Sequence, residues 1–125
     1  MKNILIVGFG GAIGSIARYL VSLAYTKFQG TPQGFPYPTF IVNIVGCMLI
    51  GLFMAHFTKH QTIENEPLKF FLVTGICGGF TTFSTFSFES FQLIQNQQST
   101  TAIIYVLASV ILGVTLTFVS YSLYK

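Results

Sequence analysis

Between Thr74 and Ser87 the chain reads Thr-Gly-Ile-Cys-Gly-Gly-Phe-Thr-Thr-Phe-Ser-Thr-Phe-Ser, a run of hydroxyls and aromatic rings without charge. At 100° per residue on a helix, Phe83 and Phe86 stand about 60° apart, and Thr81, Ser84 and Thr85 gather nearly opposite. Hydroxyls donate hydrogen bonds, and an aromatic ring has a positive edge. Both surfaces suit a small anion held weakly, and conduction needs weak holding because the ion must also leave. Read alone, the phenylalanine face is lipid contact or packing. The hydroxyl face would be wasted against lipid and belongs against protein or a polar path.

Other polar residues extend the pattern. Asn43 sits within Phe40-Ile41-Val42-Asn43-Ile44-Val45-Gly46, either as a strut between helices or as an amide donor to a pore. Arg18 is the one base deep in an apolar stretch, and Glu89 the one acid. Ionisable groups at such positions are candidates for function, although an arginine near a helix end can also snorkel to the interface. His56 and His60 are four apart, a spacing that can hold zinc, but both fall at the water interface. Cys47 and Cys77 lie in apolar runs and read as small buried hydrophobes rather than a disulfide or metal pair. No nucleophile–base–orienter set or metal cluster falls inside the apolar stretches, so the chain is not expected to be an enzyme.

These side chains need elements to position them. Crossing a hydrocarbon core of about 30 Å takes about 20 apolar residues. Four windows qualify, approximately 4–25, 38–57, 68–94 and 101–123. Gly30 to Gly34 with Pro36 and Pro38, Lys59 to Pro67, and Gln95 to Ser99 separate them. The expectation is one four-helix transmembrane domain over residues 1–125, all α, with both termini on the same side. The third window is about 40 Å long at 1.5 Å per residue, more than a bilayer core requires. Gly78-Gly79 is its weakest helical point and favours a break at mid-membrane depth, where freed carbonyls could ligate a cation. The alternative is a simple kink whose backbone is satisfied by Thr81 or Thr82. Gly10-x-x-x-Gly14, with Gly11 and Ser15 at the same spacing, predicts close helix packing, within one protomer or across a dimer.

Composition supports the bilayer. About half of the 125 residues are apolar and only 7% are charged, against roughly 25% in an average soluble domain. Mean hydropathy is +0.70. The net charge of +3 is scattered without a basic run, so nucleic acid is not an expected partner. Lys2, Lys59, Lys69 and Lys125 fall with the termini, whereas Lys27 and Arg18 fall opposite. So weak a bias permits insertion in both orientations and assembly as an inverted pair. Gly8 to Gly14 lacks the glycine spacing and the βαβ context of a dinucleotide fingerprint.

Three blocks, in order, resemble the Fluc (CrcB-type) family of fluoride ion channels across the whole chain. They are Gly10 to Tyr19, Thr39 to Gly46, and Gly75 to Ser87, the last with its distinctive G-G-x-T-T-F-S-T-F. The resemblance implies a dual-topology antiparallel homodimer in the cell membrane, with two fluoride pathways, exporting fluoride passively and protecting against its toxicity. It implies that Phe83 and Phe86 contact fluoride edge-on, that Asn43 is the pore amide, and that Ser84 and Thr85 belong to a polar track. Arg18 would stand near the aqueous vestibule. The carbonyls of Gly78 and Thr81 would hold a structural sodium ion between the subunits. Glu89 matches an acidic position at the vestibule end of the third helix, and Tyr105 and Ser109 are plausible pore neighbours.

Two other classes compete. A small multidrug-type proton antiporter is also a four-helix dimer, but it needs an embedded carboxylate in the first span, where this chain has Arg18. A purely structural subunit would leave the hydroxyl–phenylalanine segment without a purpose.

Overall fold

The computed structural model describes residues 1–125. Four helical runs are long and apolar enough to cross a membrane, spanning Lys2–Gln29, Tyr37–Lys59, Ile63–Gln95 and Ser99–Tyr124, and there are no strands. Each runs somewhat past its apolar window, because polar residues can extend a helix beyond the hydrocarbon at no desolvation cost. The first two are α1 (Lys2–Gln29) and α2 (Tyr37–Lys59). After a short 3₁₀ turn at Ile63–Asn65, the third comprises α3 (Glu66–Lys69), a wide π-helical stretch (Phe70–Cys77), α4 (Gly78–Phe80) and α5 (Phe83–Gln95). The fourth is α6 (Ser99–Tyr124).

The helix ends follow local chemistry. Gly30 takes φ 78° and returns its N–H to the Thr26 carbonyl at 2.9 Å, ending α1 in a conformation that glycine adopts cheaply. Pro38 lies in the first turn of α2, where no backbone donor is missed. Between α5 and α6, Gln97 adopts φ 59° while the Gln98 N–H reaches back to the Leu93 carbonyl at 2.8 Å. The chain thus reverses within a few residues.

Packing pairs α2 with α6, and α1 with the Phe70–Phe80 portion of the third span. The second pair meets backbone to backbone. A Cβ added at Gly14 would run into the Ile76 carbonyl and the Phe80 amide, and one at Gly79 would meet the backbone of Gly11. Gly10 and Gly75 face each other in the same way. The glycine motif of the first helix therefore works inside the protomer, where dispersion between close backbones replaces the hydrophobic drive that lipid removes. Only 18 of the 125 residues are buried, while Phe9, Ile103, Ile111, Val114 and Phe118 point outward. Such an outer surface calls for lipid or a second chain rather than water. Cys47 and Cys77 are free thiols, the latter buried.

The third span departs from the expected position of its weak point. Helix continues through Gly78 and Gly79, and the irregular residues come afterwards. Thr81 (φ −82°, ψ 158°) and Thr82 (φ −151°, ψ 117°) are extended before helix resumes at Phe83. The glycine pair stays helical because Gly79 is occupied in the close approach to α1.

Gly14→Ala is expected to cost about 1–3 kcal/mol, as overpacking does in a filled core. It should lower the unfolding midpoint of the detergent-solubilised protein. Gly8→Ala, where an added Cβ has nothing within 4 Å, should not lower that midpoint.

Candidate functional site: two clefts around an interrupted helix

Extended residues inside a helical span expose backbone groups that need partners. Asn43, in the first third of α2, supplies them for Thr82. Its Oδ1 accepts from the Thr82 N–H at 2.8 Å, and its Nδ2 donates to the Thr82 carbonyl at 3.2 Å. The amide thus grips one residue by both backbone groups, as a neighbouring strand would. Thr82 in turn caps α5, its Oγ1 accepting from the Thr85 N–H at 3.3 Å. The Oγ1 also lies 3.1 Å from the Thr85 hydroxyl and 3.4 Å from that of Ser84. In a continuous helix the Thr82 and Thr85 amides would bond the carbonyls of Gly78 and Thr81. Both amides are diverted, so these two carbonyls are released from their regular donors.

Further along α5, Glu89 is held by hydroxyls from two other helices. Thr39 donates to Oε1 at 2.7 Å and Tyr105 to Oε2 at 2.8 Å. The Tyr105 ring is fully buried (0% exposed) and lies 5.0 Å from Phe86, tilted by 59°. Phe86 continues to Phe83 at 5.8 Å. Phe83 is 80% exposed and projects outward from the protomer.

Two clefts of about 450 Å³ each flank this backbone. One, between α1, α2 and α5, is lined by Ser15, Arg18, Thr39, Thr82, Thr85 and Glu89 among others. The other, between α2 and the third span, includes Asn43, Gly78, Thr81, Thr82 and Phe83. Thr82 borders both. The structure thus brings Arg18, Thr85 and Glu89 into one cleft, and Asn43, Gly78, Thr81 and Phe83 into the other. Ser84 borders neither of these clefts and reaches the site through Thr82. Gly78 is exposed. The Ser109 hydroxyl is buried without a hydrogen-bond partner and borders an apolar groove between α2 and α6. His56 lies apart, with Nδ1 2.9 Å from the Tyr124 hydroxyl and its ring 4.9 Å from His60.

The sequence assigned no role to Thr39, and to Thr82 only that of satisfying the backbone at a kink. The available signal was the spacing of Thr39 and Asn43, a hydroxyl and an amide four apart on one face of an apolar helix. Thr82 gave no such signal, because its importance comes from the backbone conformation.

Residues 5–121 match the family described as CrcB-like protein, Camphor Resistance (CrcB). The chain belongs to the CrcB-like family. A relative from Flavobacterium psychrophilum, named fluoride-specific ion channel FluC, is 48% identical over 118 residues, covering 94% of this chain and 93% of the relative. A protein of the same name from Azobacteroides pseudotrichonymphae is 41% identical over 98% of this chain and 96% of its own length. Another, from Phocaeicola vulgatus, is 45% identical over 91% of each chain. With its four apolar helices, this CrcB-like protein is a multi-pass protein of the cell membrane.

Asn43→Ala should remove both bonds to Thr82 and leave a buried amide unpartnered. The expected loss is about 1–3 kcal/mol, the usual penalty for such a group, read as a lowered unfolding midpoint in detergent.

Proposed function

We propose that this protein is a passive, selective fluoride channel that exports fluoride from the cytoplasm and so protects the cell from its toxicity. The observation that carries this reading is the interrupted third span. It sets Phe83 and Phe86 directly after two extended threonines and beside the hydroxyls of Thr82, Ser84 and Thr85, in a chain whose relatives are named fluoride-specific channels. The interruption lies at mid-membrane depth within a single transmembrane domain of residues 1–125.

The chemistry suits a small, strongly hydrated anion. Hydroxyl and amide donors from Ser84, Thr85 and Asn43 replace part of its water shell, and ring edges of Phe83 and Phe86 offer weak positive potential. Arg18 raises anion concentration in the cleft it borders. No contact is strong enough to trap the ion, as throughput demands. Fluoride entering as neutral HF dissociates in a less acidic cytoplasm, and the negative-inside potential then drives the anion out without ATP.

The working unit is an antiparallel homodimer with two pathways. The weak Lys/Arg bias supports dual insertion, and the outward position of Phe83 supports a path completed by a second copy. The released carbonyls of Gly78 and Thr81 suit a structural sodium ion, since hard cations take oxygen ligands and broken membrane helices supply carbonyls to Na⁺. When bound at the dimer centre, that ion supplies fixed positive charge to the junction.

Liposomes holding the purified protein should release fluoride rapidly once valinomycin lets potassium follow, with little chloride, as read by ion-selective electrodes. Release no faster than from empty liposomes would overturn the reading. Phe83→Ile and Phe86→Ile should each slow release roughly tenfold or more, equivalent to about 1.4 kcal/mol on the barrier, while the dimer still elutes intact.

A further inference from the structure

Phe35 lies outside every span, in the connection from Gly30 to Pro36, yet its half-buried ring reaches into the site. It meets Tyr105 edge-on, with centroids 5.3 Å apart at 76°, and Phe40 at 5.1 Å with the same angle. Tyr105 is therefore held between two rings from different parts of the chain, Phe35 from the loop and Phe86 from α5 at 5.0 Å. Its hydroxyl is the one that reaches Glu89 at 2.8 Å. Packing by Phe35 and Phe86 confines where the Tyr105 ring lies, and with it the place from which the phenol donates to the carboxylate.

The loop is built to hold Phe35 in place. Pro36 follows it and is buried, and a residue before proline is confined to extended backbone. The Phe35 carbonyl accepts from the Tyr37 N–H at 2.9 Å. Two residues earlier, the Gln33 carbonyl accepts from Gln98 Nε2 at 3.2 Å, tying the loop to the turn between α5 and α6. Both turns at this end of the bundle therefore converge on one aromatic contact.

We propose that Phe35 is a positioning residue for ion conduction. It fixes the Tyr105 ring, and through it the Glu89 contact and the seat of Phe86, without touching the ion. This rests on the fluoride-channel reading above. It extends the functional unit to a loop that neither the hydroxyl track nor the phenylalanine pair includes.

The test replaces Phe35 with Leu, close in volume but without a ring, and with Tyr, which keeps the ring edge. Fluoride efflux from liposomes is measured beside the ¹⁹F spectrum of 3-fluorotyrosine incorporated at position 105. Phe35→Leu should slow efflux roughly three- to tenfold, the scale of one aromatic pair, and should shift or broaden the position-105 signal. Phe35→Tyr should restore both. The inference is overturned if Phe35→Leu conducts like the parent, if it slows efflux with the signal unmoved, or if Phe35→Tyr restores neither. Should Phe35→Leu fail to form a dimer, Phe35→Met is judged by the same two readouts. A parent protein that passes no fluoride would instead sink the channel reading, so the two failures are distinguishable.

Discussion

An unpaired peptide group inside hydrocarbon has no water to turn to, and the architecture around α5 follows from that constraint. Thr81 and Thr82 leave the helix within an apolar span, which is tolerable only because Asn43 meets the Thr82 N–H and C=O together. Once Thr82 is held, its hydroxyl is free to cap α5, and the phase of that helix is set from its first turn. Phe83, Phe86 and Glu89 then project where they do because the cap determines where counting begins. One side-chain amide thus bears on the direction of the α5 side chains that follow it.

A second constraint is distance. Asn43 can reach Thr82 only if α2 and the third span lie close together. Glycines provide the closeness on this side of the bundle and on the other, with Gly46 against the Thr81 side chain and Gly11 and Gly14 against Gly79 and Ile76. Small residues that look like a dimerisation motif are here the means of seating an irregular backbone. The π-helical stretch before the interruption belongs to the same adjustment, because its wider turns change the phase of the span ahead of Gly78.

The polar groups at the site are almost all donors or neutral dipoles, and its one carboxylate is occupied on both oxygens by hydroxyls. The aromatic chain from Phe35 through Tyr105 to Phe86 and Phe83 runs beside it, and links the loop at one end of the bundle to the exposed ring of Phe83.

Much of this was legible in the chain itself. Hydropathy is a local sum, so four spans and their turns could be read from windows of about 20 residues. Helical phase is also local, but it does not carry across the interruption, since Thr81 is extended and shares a cleft with Phe83, apart from Thr85. The three sequence blocks pointed to the family that full-length comparison supports. By contrast, the interruption was expected at Gly78-Gly79 from propensity and falls at Thr81–Thr82, because propensity knows nothing of a partner 39 residues away. The same holds for the Thr39 and Tyr105 bonds to Glu89, and for the choice of the glycine motif to pack within the protomer. The sequence by itself determined which side chains enter the membrane. Only the tertiary structure decided which backbone donors go unmet by their own helix and which distant side chain meets them. That outcome depends on how closely the helices approach, and no local pattern encodes it.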